Sequence, residues 1–143
     1  MLDAIVYTSR ATEALTDTEL ELVLLRSRTL NAARGLTGAL LKRGDTIVQY
    51  LEGEPEALGR TFARIAQSPL HQDVNTVARA TGVDRHFTTW HMGFRDFQRH
   101  HLRDASTTEW IAAVPAIEDV EPGNAALVRL VELWHELGTS RSA

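Results

Sequence analysis

The sequence predicts an α+β domain: a small sheet with two helices on one face and further helices over the other. Three observations carry that expectation. Short stretches at residues 4–9, 36–42 and 46–51 read as strands, and in the first and third the alternation makes both faces apolar. Two segments between the expected strands carry apolar residues at helical spacing and end in recognisable stops. A third amphipathic segment lies near the C-terminus, and a sheet with two apolar faces needs that second cover.

Taken in order, residues 4–9 (AIVYTS) form a strand with Ile5, Tyr7 and Ser9 on one side and Val6 on the other. Thr16-Asp17-Thr18-Glu19 is a capping-box pattern, with Thr16 as N-cap and Glu19 reaching back. The helix runs through Leu20, Val23, Leu24 and Leu30 to Gly35, a left-handed stop. Residues 36–42 and 46–51 are strands joined by a tight Arg43-Gly44-Asp45 hairpin. In the second, Ile47, Gln49 and Leu51 share one face, and Val48 and Tyr50 the other. Glu52-Gly53-Glu54-Pro55 reads as a break, and Pro55 suits a first helical turn. The next helix places Leu58, Phe62 and Ile65 on one stripe and stops before Pro69. Residues 73–81 and 88–94 read as the last two strands.

The resulting order, β-α-β-β-α-β-β, is ferredoxin-like with one added strand, and it occupies residues 1–97 as one domain. Residues 98–143 read as a linker and C-terminal helical extension. A polar stretch at 98–108 leads to a short helical segment at 108–114, broken at Pro115. A longer helix over 124–137 follows, with Leu127, Leu130, Val131, Trp134 and Leu137 on one stripe and Gly138 as its stop. These helices, or a second subunit, are the expected cover for the second face.

Bulk composition narrows the function. The chain has 143 residues, 43% hydrophobic and 24% charged, enough for a core without staples. A net charge of −4 argues against a general nucleic-acid binder. The absence of cysteine excludes disulfides, thiolate metal sites and thiol nucleophiles. No cationic leader and no membrane-length apolar run are visible, so a cytoplasmic protein with no membrane partner is expected. The six histidines include the adjacent His100 and His101, a poor chelate, so no metal site is expected. No nucleophile elbow, Walker loop or G-x-G-x-x-G stretch occurs, so no enzyme activity is expected of the chain itself.

Three polar groups interrupt the expected core. Tyr7 and Gln49 share parity with apolar neighbours that face the helices, and Asn31 sits in the last turns of the first helix. A buried amide without partners costs about 1–3 kcal/mol, so Gln49 should have some. Each residue also has an ordinary reading: a rim tyrosine, a solvent-facing glutamine, a helix-end asparagine. Composition and periodicity alone leave a soluble α+β domain with an unexplained polar cluster.

The same residues resemble the BLUF family of flavin photoreceptors, from about residue 2 to about residue 97. Ile5-Val6-Tyr7-Thr8-Ser9 looks like that family's first strand, with Tyr7 at its essential tyrosine. Asn31-Ala32-Ala33-Arg34-Gly35-Leu36-Thr37-Gly38 looks like its N-x-x-x-G-I-T-G stretch, with Asn31 at the flavin-binding asparagine. Val48-Gln49-Tyr50-Leu51-Glu52-Gly53 looks like the Q-x-L/I-E-G stretch, with Gln49 at the switching glutamine. Phe87-Thr88-Thr89-Trp90-His91-Met92-Gly93-Phe94 looks like the W-S-M segment, with Trp90 and Met92 at the two signal-relay positions.

The resemblance implies a flavin held between the two helices, with Val23, Leu24, Phe62 and Ile65 as walls. Ser27, Arg64 and His71 match flavin-lining positions beside Tyr7, Asn31 and Gln49. FAD is the expected cofactor, with FMN and riboflavin as alternatives, because Ser68 and Leu70 stand where relatives often carry Asp and Arg. The implied mechanism is a light-driven rearrangement of the Tyr7–Gln49–flavin hydrogen bonds. Its signal would leave through the last strand and the C-terminal helices, to a homo-oligomer or an unidentified protein partner. The competing readings are a ferredoxin-like association module without a dye and a small acylphosphatase-like hydrolase on the same fold.

Overall fold

The computed structural model describes residues 1–87, 91–98 and 123–139. Its elements are β1 (Leu2–Ala11), α1 (Asp17–Arg34), β2 (Thr37–Arg43), β3 (Thr46–Gly53), α2 (Pro55–Ala66), β4 (His71–Val83), β5 (Gly93–Asp96) and α3 (Ala125–Thr139). The strands form one sheet in the order β4-β1-β3-β2-β5. β1 lies antiparallel to both β3 and β4, β2 is antiparallel to β3, and β5 adds parallel to β2. This is the expected ferredoxin-like arrangement with one extra strand.

Local chemistry sets the boundaries. Thr16 Oγ1 accepts the Glu19 N–H at 3.2 Å and opens α1. Gly35 closes α1 at φ 70°, the left-handed conformation that glycine adopts without penalty. Gly44 does the same at φ 57° in the β2–β3 hairpin. Gly38 has a different reason: a Cβ there would lie 2.0 Å from the Tyr50 carbonyl oxygen, so only glycine lets β2 approach β3.

Both sheet faces are buried. On one, Ile5, Leu40 and Leu51 pack with Leu20 and Leu24 of α1 and Leu58 of α2. On the other, Val6, Leu41 and Val48 pack with Leu127, Leu130 and Val131 of α3. Each such side chain contributes about 1.5–3 kcal/mol on burial. α3 is also pinned at both ends. Asn124 Oδ1 accepts the Leu127 N–H at 2.9 Å, while its Nδ2 donates to the Tyr50 hydroxyl at 3.1 Å. At the other end Arg43 donates to the Leu137 carbonyl at 3.2 Å. The Arg95 guanidinium sits 4.4 Å from the Phe97 ring centroid and 4.7 Å from that of Trp134, joining the segment after β2's edge strand to α3.

Several sequence expectations need correction. β3 does not break at Glu52, which pairs with Ala4 and Thr37 across both neighbours. β4 begins at His71, two residues earlier than expected, and ends at Val83. β5 covers Gly93–Asp96, so Met92 precedes that strand, because pairing to β2 begins only at Gly93 opposite Ala39. α3 passes through Gly138 to Thr139 and does not stop at the glycine. The expected segment 108–114, most of the polar stretch before it, and residues 88–90 lie outside the described residues. No helix among the described residues is long and apolar enough to cross a membrane.

Candidate functional site

Antiparallel pairing sets Tyr7 of β1 directly opposite Gln49 of β3, with both side chains on the face covered by α1 and α2. Cross-strand partners in this relation stand close enough for their side chains to touch. The Tyr7 hydroxyl donates to Gln49 Oε1. Gln49 Nε2 in turn points at the Met92 thioether, 3.5 Å from Sδ. Tyr7 is 2% exposed and Gln49 6%. The Tyr7 ring is boxed by Phe62, with centroids 5.6 Å apart, and by His71, at 6.0 Å.

Burial pushes the Tyr7 hydroxyl well above the ordinary tyrosine range, because a phenolate would lose its water. Tyr50 on the opposite face is raised too, first by burial and then by the Glu52 carboxylate. The chain has only these two tyrosines. Ultraviolet titration should therefore find no phenolate absorbance through the ordinary range near pH 10 while the protein stays folded. The unfolded chain releases both protons there and the folded chain keeps them, so stability falls as pH rises above about 10, by up to ~1.4 kcal/mol per phenol per pH unit. Phenolate appearing near pH 10 in folded protein would contradict the burial of both rings.

Tyr7 and Gln49 form part of the floor of a cleft between the helices, enclosing about 650 Å³ of empty space that is partly open to solvent. Its walls are apolar, with Leu20, Val23 and Leu24 from α1 and Ile65 from α2. Ser27 and Met92 line it as well. Of the four wall residues the sequence suggests, Val23, Leu24 and Ile65 are in place, while Phe62 packs on the Tyr7 ring without lining the cleft.

Other expected site residues are placed differently. Arg64 is exposed on the last turn of α2 and does not line the cleft. His71 lines it, but both ring nitrogens are engaged, Nε2 with the Ile65 carbonyl at 2.7 Å and Nδ1 with Ser9 Oγ at 2.8 Å. Nε2 must donate, since a carbonyl only accepts, so His71 braces the cleft and has no free donor for a ligand. Asn31 is buried beside the cleft, not in its wall, and its Nδ2 donates to the His91 carbonyl at 2.6 Å. Its Oδ1 takes no hydrogen bond from the described residues. Trp90 lies outside the described residues.

Two residues escaped the sequence reading. Lys42 lines the cleft, and its i+2 relation to Leu40 could have placed it on that face. Glu52, 0% exposed, lies on the opposite face. It accepts from Thr37 Oγ1 at 2.8 Å, Tyr50 Oη at 2.9 Å, and the backbone N–H groups of His86 at 2.9 Å and Phe87 at 2.6 Å. Its parity with Val48 and Tyr50 was the available signal.

A helix-walled cleft floored by a buried phenol–carboxamide pair, on a ferredoxin-like sheet with an added parallel edge strand, is the arrangement that the resemblance to flavin photosensors leads one to expect. The family model BLUF, "Sensors of blue-light using FAD", matches residues 2–93. The chain belongs to this BLUF family of flavin-based blue-light sensors. The photoactivated adenylate cyclase subunit beta of Euglena gracilis is 30% identical over 120 residues, covering 83% of this chain and 13% of that protein. The chain thus spans only a small part of the curated relatives it matches. Among solved structures, Klebsiella pneumoniae BlrP1 in a calcium and cyclic-diGMP complex is 29% identical, with a TM-score of 0.75, over 97% of this chain and 34% of that one. The BLUF protein BlrB in its dark state is 28% identical, with a TM-score of 0.67, over 93% of this chain and 96% of that one.

Proposed function

We propose that this chain senses blue light through the Tyr7–Gln49 pair and passes the change through Met92 and β5 to α3, for output by protein–protein contact. The observation that carries this reading is the buried sequence Tyr7–Gln49–Met92 along the cleft floor. The residues present fit a flavin. The cleft is walled by aliphatic side chains and offers a few convergent polar groups. Gln49 and Ser27 line it, while Asn31 is not among its lining residues.

A flavin held by these residues would supply a strong one-electron oxidant under blue light. The protein's part is to hold and move a proton. The Tyr7 hydroxyl hydrogen is already aimed at Gln49 Oε1. The other end of the amide faces only a thioether, a weak acceptor. Turning or tautomerising Gln49 therefore sacrifices little on the Met92 side. A carboxylate at position 49 would lack the donor end.

Output is supported by contiguous contacts. Met92 immediately precedes β5, its carbonyl accepts Arg28 Nε at 3.0 Å, and Arg95 of β5 stacks on Trp134 of α3. On this reading residues 1–97 are the sensor and residues 98–143 carry the signal to a second copy or a downstream protein. FAD is the proposed cofactor, with FMN sharing the same ring; a BlrP1 structure is described with FMN. The purified protein should be yellow and show a small, reversible red shift of its visible absorption under blue light. A colourless protein that refuses added flavin would replace the sensor with an association module.

A further inference from the structure

Lys42 is a cation that lines an apolar cleft, and among the described residues its side chain has no partner. It lies near the end of β2, half-buried, and lines the cleft. Its carbonyl accepts the Phe97 N–H at 2.8 Å, while its ammonium makes no hydrogen bond or ion pair with the described residues. Its strand neighbours are Ile47 on β3 and Asp96 on β5, whose Oδ1 instead accepts the Gln98 N–H. An ammonium held in such surroundings gains more from an arriving anion than it would in bulk water.

Strand pairing sets where in the cleft it lies, and the phosphate is the one anionic group a flavin could bring to it. Pairing brings Ala11 of β1 opposite His71 of β4, and Arg43 of β2 opposite Thr46 of β3, so these strand ends share one edge of the sheet. Lys42 is therefore at the same end of the cleft as Leu15, just after β1, and Leu70, just before β4. Leu15 and Leu70 offer a ligand tail only apolar contact. Ser68 Oγ there already accepts the Leu70 N–H at 3.2 Å. Both His71 nitrogens are taken, and Arg64 does not line the cleft. Among the described residues, Lys42 is the cation of the cleft wall with its donors free.

We propose that Lys42 binds the phosphoester common to FMN and FAD, so that the cleft selects phosphorylated flavins over riboflavin. This rests on the flavin reading above. The ammonium supplies three charge-assisted donors to phosphate oxygens, and a neutral ribityl terminus gives it no comparable partner.

Riboflavin and FMN share the ring and ribityl chain and differ by the phosphate, so titrating each into apo-protein by flavin fluorescence isolates the effect. At low salt the native chain should bind FMN about tenfold or more tighter than riboflavin, and added salt should weaken FMN alone. Lys42→Met should erase that preference with riboflavin affinity little changed, and Lys42→Arg should keep most of it. FAD should follow FMN. An unchanged FMN-to-riboflavin ratio in Lys42→Met overturns the proposal. So does an equal loss for both flavins, which would set the ammonium against the ring or ribityl chain. Failure of the native chain to bind either flavin sinks the sensor reading with it, whereas flavin binding without phosphate preference sinks the Lys42 assignment alone.

Discussion

Tyr7→Phe is expected to keep flavin in the cleft and to lose the reversible red shift completely. The substitution removes one oxygen and preserves the ring that packs on Phe62 and His71. The cleft walls on α1 and α2 are untouched. What disappears is the hydroxyl that donates to Gln49 Oε1, and with it the proton that the proposed mechanism moves. Gln49 is left with a buried carbonyl lacking its donor, a cost of about 1–3 kcal/mol that lowers stability without unfolding the domain. Dark spectra should show bound flavin, and difference spectra under blue light should be flat. A normal light-induced shift in this variant would remove Tyr7 from the switching role.

Glu52→Ala is the substitution expected to damage the fold most, lowering stability by about 3–5 kcal/mol. The Glu52 carboxylate has no solvent exposure and gathers donors from three places: Thr37 on β2, Tyr50 on its own strand, and the backbone at His86 and Phe87. Arg85 stands behind Thr37, donating to its Oγ1 at 2.9 Å and to the Gly35 carbonyl at 2.8 Å. Truncation leaves several buried donors without an acceptor and opens a cavity at the same locus. Glu52→Gln keeps the volume but turns an amide NH2, a donor, toward N–H groups, so it too should destabilise, by roughly 1–3 kcal/mol. Urea unfolding measures both. A loss under about 1 kcal/mol for Glu52→Ala would mean that water or a shifted loop satisfies those donors.

That Tyr7 and Gln49 face the helices was legible because strand alternation is local, whereas their pairing was implied only by the family resemblance. Once Ile5 and Ile47 are placed toward the helices, Tyr7 and Gln49 must follow. Gly35, Pro55 and Thr16 were legible for similar reasons, since caps and turns are written in a few adjacent residues. What stayed hidden depends on contacts distant in sequence. A charged residue before a glycine reads as a turn, and nothing near Glu52 reveals that backbone donors at residues 86 and 87 will come to meet it. His71 could be assigned to the cleft, but not its loss of free donors, because Ser9 and Ile65 claim both nitrogens. The late start of β5 reflects parallel pairing with β2, a tertiary choice that the run at 88–94 does not encode.

Gln49 and Tyr50 are consecutive residues that face opposite sides of the same sheet. The Tyr50 hydroxyl is clasped between Glu52 and Asn124, and Asn124 caps the first turn of α3. A rocking of β3 about its own axis that resettles the amide above must swing the phenol below in the opposite sense. The sheet is one peptide thick at that point, so the helix on the far side can feel the cleft directly, like the far arm of a seesaw.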